Sequence, residues 1–226
     1  MEQTMTDCRR PWRRAWLVLV AVLACTSWGG EVEKAAFTDY RDGDIVLQHI
    51  KVPLGEVIKS ATESPYSHCG LVVHRKGKPF VLEAIGPVRY ISLRKWLAQG
   101  HRGRVTVVRV TDLEPGQAAK AIQVAEGFLG KPYDIQYQVD DARIYCSELV
   151  YKAFERGCGI AVGELDRLGD LKWGPHEAFI RNITGGELPL NRRMITPVAL
   201  VKSPRTVVVH STFPARSKKP AGKGKH

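Results

Sequence analysis

The order in which strand-like and helix-like segments follow one another limits this chain most strongly to one class of fold. Short apolar, β-branched segments predict strands early in the sequence and again near its end. These predicted strands are Ile45–Leu47, His68–Val73, Phe80–Ile85, Val105–Val110, Met194–Val201 and Thr206–His210. Segments with helical spacing are Pro53–Thr62, Ser92–Ala98, Gln117–Leu129 and Cys146–Arg156. Strands that come first and last, with helices between them, predict an α+β fold in which an antiparallel sheet packs against helices.

Net charge argues against a nucleic-acid-binding protein once the charges are located. The chain of 226 residues has a formal net charge of +11. Residues 25–213 carry 25 basic and 21 acidic side chains, a balance of only +4, so most of the excess lies at the two ends. Residues 214–226 are basic and contain no acidic residue, which predicts a disordered, solvated tail or one attracted to anionic lipid or cell-wall polymer. No aromatic-studded basic stripe or recognition motif indicates nucleic acid.

The first 24 residues have the pattern of an export signal. Four arginines precede an apolar run, Ala15–Cys25, which is too short to span a bilayer and ends in small residues. The run Val22–Cys25 also has the form of a lipoprotein cleavage site, at which Cys25 would carry the lipid. Cleavage nearby without lipidation is the alternative. The sequence therefore predicts a signal peptide over 1–24 and a periplasmic or membrane-anchored protein.

Cysteine usage indicates a reactive thiol rather than a disulfide framework. Removal or lipidation of the N-terminal cysteines leaves Cys69, Cys146 and Cys158, an odd number for an exported protein. The histidines have no metal-ligand spacing, so we expect neither a metal site nor a cofactor. Cys69 falls within an apolar predicted strand and is expected to lie in the core.

Cys146 stands at the start of a predicted helix, where a thiol ionises more readily than elsewhere. The inner face of that helix carries Cys146, Leu149, Val150 and Ala153, whereas Glu148, Lys152 and Glu155 are expected to face outward. A small buried hydrophobic residue is the alternative interpretation of this cysteine. The helix start makes Cys146 a candidate nucleophile.

His68 and Glu83 fall on neighbouring predicted strands that a turn at Arg75–Lys78 would join as a hairpin. His68 lies where a strand meets a proline-containing loop, and Glu83 interrupts an otherwise apolar strand. A carboxylate in such a place needs a partner. A core histidine and an exposed glutamate are the alternatives. Together with the thiol, however, these residue types form the set that nucleophilic acyl transfer requires.

Four segments carry a resemblance to a known family: Gly43–Gln48, Ala61–Val72, Gly130–Asp134 and Tyr145–Tyr151. The sequence resembles the YiiX/YaeF-like permuted papain-fold amidases, relatives of the NlpC-type cell-wall peptidases and of lecithin:retinol acyltransferase-like enzymes. The resemblance implies one domain over 37–213 with a circularly permuted papain-like fold, in which the histidine and the carboxylate precede the cysteine in the chain.

The resemblance also implies roles for individual residues. Cys146 would be the nucleophile, His68 the base and Glu83 the acid that orients it. Gln48 and Tyr66 would bind substrate or help to stabilise the oxyanion, and Tyr145 is a further candidate for binding substrate. The expected reaction is hydrolysis of an amide in a cell-wall peptide or an amino-acid amide. The alternatives are hydrolysis or transfer of lipid acyl groups and an inactive envelope-binding module.

Overall fold

A computed structural model of the protein describes residues 37–214. The predicted signal peptide with Cys25 and nearly all of the predicted basic tail lie outside the described residues. The strands are β1 (Ile45–Gln48), β2 (His68–Arg75), β3 (Lys78–Ala84), β4 (Val88–Ser92), β5 (Thr106–Val110), β6 (Asp166–Arg167), β7 (Arg193–Met194) and β8 (Thr206–Ser211). The helices are α1 (Pro53–Ala61), α2 (Leu93–Gln99), α3 (Gln117–Glu126), α4 (Cys146–Cys158), α5 (Glu177–Ile183) and α6 (Pro197–Lys202). Within this range, no helix is long and apolar enough to cross a membrane.

The strands form an antiparallel sheet in the order β4-β3-β2-β1-β5-β8, and β6 pairs separately with β7. The predicted hairpin between β2 and β3 is present, and Lys76 and Gly77 both have positive φ at its turn. Gly70 on β2 lets β3 approach closely, because a Cβ there would lie 2.5 Å from Val81 Cγ1. The mixed architecture with an antiparallel sheet agrees with the prediction.

Helices cover both faces of the sheet. On one face, apolar residues of β1, β2 and β3 pack against α3 and α4 in the larger core, which contains Leu71, Ile122 and Leu149. On the other face, Trp96 of α2 covers a smaller cluster that includes Val72. Because successive strand residues point to opposite faces, neighbouring side chains of β2 enter different cores. Because of this alternation, the side chains of His68 and Cys69 point to opposite faces of the sheet.

One predicted strand is wrong. The segment Met194–Val201 is not a single strand, because only Arg193–Met194 pairs as β7 and the chain then enters α6. Thr196 caps this helix, accepting a hydrogen bond from the N–H of Ala199 at 3.3 Å, and Pro197 is its first residue. A threonine followed by proline is a common helix start, and here it overrides the β-branched composition.

The predicted outward-facing side of α4 is also partly wrong. Glu155 is exposed, but Glu148 and Lys152 are 0% and 2% exposed and lie 2.6 Å apart as an ion pair. Lys152 Nζ also contacts Asp141 Oδ1 at 2.8 Å, so residues of the loop before α4 cover this side of the helix. Burial raises the pKa of Glu148 to about 7, although Lys152 opposes that rise. The spacing of apolar residues along a helix does not show whether a loop will cover its polar side, so the burial of Glu148 and Lys152 could not be predicted from it.

Candidate active site

Cys146 is the first residue of α4, and its neighbours anchor that end of the helix. The hydroxyl of Tyr145 accepts a hydrogen bond from the N–H of Ile195 at 3.0 Å, and Ser147 Oγ donates one to the carbonyl oxygen of Ile195 at 2.8 Å. The N–H of Tyr145 donates to Glu148 Oε2 at 3.3 Å. Cys146 itself is buried. Its sulfur is therefore held at a helix N-terminus, where unpaired N–H groups and the helix dipole favour negative charge.

His68 and Glu83 meet on the sheet next to this helix end. His68 Nε2 lies 2.7 Å from Glu83 Oε2, and both side chains are almost fully buried. The other carboxylate oxygen, Oε1, accepts hydrogen bonds from Nε and Nη2 of Arg89 at 3.1 and 3.0 Å. Arg89 sits directly opposite Glu83 in the pairing of β3 with β4. Sequence analysis missed Arg89 because the strand that carries it was not predicted.

The thiol and the imidazole influence each other strongly. Hydrogen bonding from Cys69 and from His68 holds the pKa of Cys146 well below its ordinary value, although burial opposes this. Burial alone would lower the pKa of His68, but Cys146 and Glu83 raise it to about 9. A lowered pKa of the thiol beside a raised pKa of the imidazole favours a thiolate–imidazolium pair. Because Nε2 of His68 is bonded to Glu83, Nδ1 is the nitrogen left for the sulfur.

Cys69 is in the core, as expected, but it also contacts the candidate nucleophile. It follows His68 on β2 and therefore points to the face that α4 covers. Its own pKa is raised well above the ordinary value, by burial first and then by Cys146. A thiol that stays protonated can donate a hydrogen bond to the neighbouring thiolate. The alternation of β2 against α4 was the signal that could have found this contact.

Two tyrosines on the loop before α4 complete the surroundings of the sulfur. The hydroxyl groups of Tyr133 and Tyr137 lie 3.2 Å apart, and the ring of Tyr137 packs against Tyr145 with centroids 4.7 Å apart. Burial and then neighbouring negative charge, including that of Cys146, raise the pKa of both tyrosines, so they stay neutral. Tyr133 belongs to a segment that carried the family resemblance, but no role was predicted for it.

The three predicted substrate-binding residues lie in different surroundings. Gln48 is fully buried and pairs with His68 across β1 and β2, and within residues 37–214 neither atom of its side-chain amide has a hydrogen-bond partner. The hydroxyl of Tyr66 lies 3.1 Å from Thr106 Oγ1, so it is directed to β5. Tyr145 is fully buried at the start of α4. The structure thus brings together Cys146, His68 and Glu83, whereas a direct contact with substrate by Gln48 or Tyr145 would require these buried side chains to move.

Comparisons with known proteins agree with this geometry. Residues 39–210 match the family described as permuted papain-like amidase enzyme, YaeF/YiiX, C92 family. The chain belongs to this permuted papain-like amidase family. It is 37% identical over 175 residues to the uncharacterized protein YiiX of Escherichia coli strain K12, an alignment that covers 76% of this chain and 87% of the relative. A crystal structure described as that of the metalloprotein yiiX from Escherichia coli O157:H7 has a TM-score of 0.75 and 36% identity, and covers 78% of this chain and all of the other. The circularly permuted papain-like fold is confirmed.

A metal centre does not fit the described part of this chain. Between residues 37 and 214, no three side chains of His, Cys, Asp or Glu are grouped so that they could hold a metal ion. No step of the chemistry is therefore assigned to a metal.

Two concave regions lie near the candidate site, and one of them is lined in part by His68. The first, the His68 cleft, has a volume of about 290 Å³ and is lined by residues that include His68, Tyr133 and Ser67. The second, the apolar crevice, has a volume of about 80 Å³ and lies between α1, α5 and the segment 194–197. Leu54 and Ile58 of α1 line both regions. The two regions are therefore neighbours that share one helix as a wall.

A second hydrogen-bonded array lies beside the His68 cleft. His49 Nδ1 lies 3.0 Å from Ser67 Oγ, and His49 Nε2 lies 3.0 Å from Glu56 Oε1. Ser67 Oγ also accepts a hydrogen bond from the N–H of Ile50 at 3.0 Å. This set is called the Ser67 array below, and Cys146, His68 and Glu83 are called the Cys146 array. Both arrays consist of a nucleophilic atom, an imidazole and a carboxylate.

Proposed function

We propose that this chain hydrolyses amide bonds through a Cys146–His68–Glu83 triad. The observation that carries the proposal is the geometry of the site, in which Cys146 opens α4 and the His68 ring that is hydrogen-bonded to its thiol has Nε2 2.7 Å from Glu83 Oε2. These contacts lower the pKa of the Cys146 thiol and raise that of His68 to about 9. Thiolate is the nucleophilic form of cysteine, and imidazolium is the proton donor that an amine leaving group needs. Membership of an amidase family supports the same chemistry.

The reaction divides into two steps. In the first, the sulfur of Cys146 bonds to the carbonyl carbon, the C–N bond breaks, and His68 gives its proton to the departing nitrogen. In the second, water attacks the acyl-thioester while His68 accepts a proton, and the C–S bond breaks to release a carboxylic acid. Glu83 keeps the imidazole oriented and balances its charge. Backbone N–H groups at the start of α4 are suited to stabilise the oxyanion.

The proposed substrates are amides of the cell envelope, either cell-wall peptides or amino-acid amides. This part of the proposal depends on the export pattern of residues 1–24 and on the family. Lipidation of Cys25 would anchor the enzyme to a membrane, and the basic tail would strengthen that association on an anionic surface. Mass spectrometry of the mature protein from membrane and soluble fractions, compared with Cys25→Ser, tests this localisation.

The decisive test compares the two thiols that differ most in surroundings. Cys158 Sγ donates a hydrogen bond to the carbonyl oxygen of Gln117, and burial raises its pKa. We expect iodoacetamide at pH 6 to alkylate Cys146 at least tenfold faster than Cys158, because the pKa of Cys146 is lowered and that of Cys158 is raised. Peptide mapping by mass spectrometry measures both rates in one sample. Equal rates would contradict the proposal.

Turnover is tested separately with purified cell-wall fragments and N-acyl amino-acid amides. We expect the wild type and Cys158→Ala to release amines from at least one of these substrates, and Cys146→Ala to release none. Water labelled with ¹⁸O should enter the new carboxyl group, which distinguishes hydrolysis from acyl transfer. Transfer of the acyl group to an added alcohol or amine without uptake of ¹⁸O would favour the acyltransferase alternative.

A further inference from the structure

The apolar crevice is a gap in packing that the fold does not fill. Its walls come from the apolar faces of two short helices, through Leu54, Val57 and Ile58 of α1 and Phe179, Ile180 and Ile183 of α5. Of the residues in α1, only Gly55 and Ala61 are buried, so the apolar side chains of this helix stay half-exposed along the crevice. Protein interiors are normally packed without such space. An apolar gap of this kind gains stability when an apolar group enters it.

The crevice lies on the nucleophile side of the site. One wall includes Tyr137, whose ring packs against Tyr145, the residue before Cys146. Another includes Ile195, whose backbone N–H and C=O groups bond to the side chains of Tyr145 and Ser147. The residues on both sides of the sulfur-bearing position are therefore attached to the walls of the crevice. The His68 cleft, by contrast, contains the base.

Because the walls of the crevice contact the residues beside Cys146 whereas the base lines the His68 cleft, the amine half and the acyl half of a substrate would occupy different regions. The leaving amine must lie near His68, which protonates it, whereas the acyl half stays bonded to the sulfur of Cys146. We infer that the apolar crevice binds an aliphatic group on the acyl side of the scissile bond. The inference depends on the proposed function and narrows its substrate class to amides with an aliphatic acyl half.

Size and charge limit the group further. A cavity of about 150 Å³ lined by apolar side chains admits benzene. The crevice has about 80 Å³ and would hold a group of about three or four carbon atoms. Among the described residues that line it, Arg192 alone is charged, and its guanidinium donates to the carbonyl oxygen of Gln136. A leucine side chain in a peptide or a short branched acyl chain fits this description.

The test measures kcat/KM for p-nitroanilides that differ only in the acyl half. Isovaleryl anilide represents a free acyl chain, N-acetyl-leucyl anilide represents a peptide, and acetyl and N-acetyl-glycyl anilides are their small controls. N-acetyl-aspartyl and decanoyl anilides test charge and length. We expect the four-carbon group to raise kcat/KM about tenfold or more over its small control, because each methylene in an apolar pocket contributes strongly to discrimination. A larger gain in the peptide or in the acyl pair identifies the source of the group.

Variants of Val57 connect the preference to the crevice. Val57→Phe should fill the space and Val57→Asp should make it polar, and each should reduce the preference to about twofold or less. The same substitutions at Val208, which is exposed on β8 and does not line the crevice, are the matched controls and should leave the preference unchanged. Circular dichroism of all four variants checks that they fold.

Alkylation of the sulfur separates failure of this inference from failure of the proposed function. The thiolate displaces bromide from bromomethyl isobutyl ketone or from bromoacetone, forming a C–S bond as the C–Br bond breaks. We expect the isobutyl compound to react about tenfold faster in the wild type and without advantage in Val57→Phe. Rapid alkylation by both compounds at equal rates would overturn the inference and leave the hydrolase proposal intact. Failure of Cys146 to react faster than Cys158 with iodoacetamide would instead count against the hydrolase.

Discussion

The Cys146 array and the Ser67 array contain the same three kinds of group within one small region of the molecule. His49 follows the last residue of β1 and His68 begins β2, so the two imidazoles come from adjacent strand ends. Each imidazole binds a carboxylate through Nε2 at 3.0 Å or less. Hydrogen-bond geometry alone therefore does not distinguish a catalytic array from a structural one.

The two arrays differ in the burial of the carboxylate and in the nucleophilic atom that would carry negative charge. Glu83 is fully buried and bonded to His68 and Arg89, whereas the side chain of Glu56 is 50% exposed, so water screens its charge. The sulfur of Cys146 lies at the start of α4, a helix of 13 residues. Ser67 precedes a strand and does not itself begin a helix, and its hydroxyl is far less acidic than a thiol. We therefore expect the Ser67 array to connect β1, α1 and β2 without reacting.

The largest expected effect comes from removing each nucleophilic atom. Cys146→Ala should lower kcat for amide hydrolysis by about 10⁵- to 10⁶-fold, as removal of a nucleophile does in other triad hydrolases. Ser67→Ala should change kcat/KM by about threefold or less, because it removes only the hydrogen bonds that the hydroxyl makes with His49 and with the N–H of Ile50. Steady-state hydrolysis of the best anilide measures both. A comparable loss in Ser67→Ala would show that the two arrays cannot be separated by the acidity of the nucleophile.

The carboxylates provide the next comparison. In Glu83→Gln, Arg89 would retain the oxygen as its acceptor and turn the new NH₂ group toward His68 Nε2. The neutral imidazole would then hold its proton on Nδ1, the wrong nitrogen for accepting one from the thiol. We expect kcat/KM to fall about 10²- to 10⁴-fold, as in a serine protease whose aspartate is replaced by asparagine.

Glu56→Gln is the matched control for that substitution. Its carboxylate is half-exposed and bonds to His49 and to Lys59, so water can replace what is lost. We expect a change in kcat/KM of about threefold or less. Similar losses in the two variants would mean that burial of the carboxylate does not distinguish the arrays.

The pH dependence of the two chemical steps should differ. The pKa of His68 is raised to about 9, so imidazolium is present below that pH and is lost as pH rises through it. The rate of amide hydrolysis should therefore fall about tenfold per pH unit above 9, because the leaving amine loses its proton donor. Alkylation of Cys146 by iodoacetamide needs only thiolate and should not fall over the same range. A parallel decline in both profiles would indicate unfolding or loss of the sulfur rather than titration of the imidazole.

Sequence reasoning could predict the residues of the Cys146 array because each broke a local pattern. Glu83 interrupts an apolar strand, and His68 and Cys146 open a strand and a helix. Arg89 could not be predicted in the same way, because β4 is a short, partly exposed strand whose register depends on the hairpin before it. The burial of Lys152 depends on a loop folding over α4, which no periodicity encodes.

The Ser67 array is a second example of contacts that could not be predicted from the sequence. Its members belong to a helix, a loop and the residue after a strand, and none of them breaks a local pattern. Only the fold brings them together, as it does the two walls of the apolar crevice. Sequence could therefore locate the reacting groups and the general fold, whereas the groups that surround them required the structure.

The smallest expected effect concerns the hydrogen-bond donor to each nucleophilic atom, which for Cys146 is Cys69. The N–H of Ile50 donates to Ser67 Oγ, and hydrogen bonding from Cys69 is the largest of the influences that lower the pKa of Cys146. Cys69→Ala removes the thiol donor without adding a charge and should raise the pKa of Cys146 by about one unit, the value of one hydrogen bond to a charged group. A rise of one pKa unit lowers the thiolate fraction by at most about tenfold, so kcat/KM at neutral pH should fall by about tenfold or less. Alkylation by iodoacetamide across pH 3–8 measures the pKa directly, and Cys69→Ser, which keeps a donor, should restore part of the shift. An unchanged alkylation profile in Cys69→Ala would mean that the helix end and His68 alone ionise the sulfur.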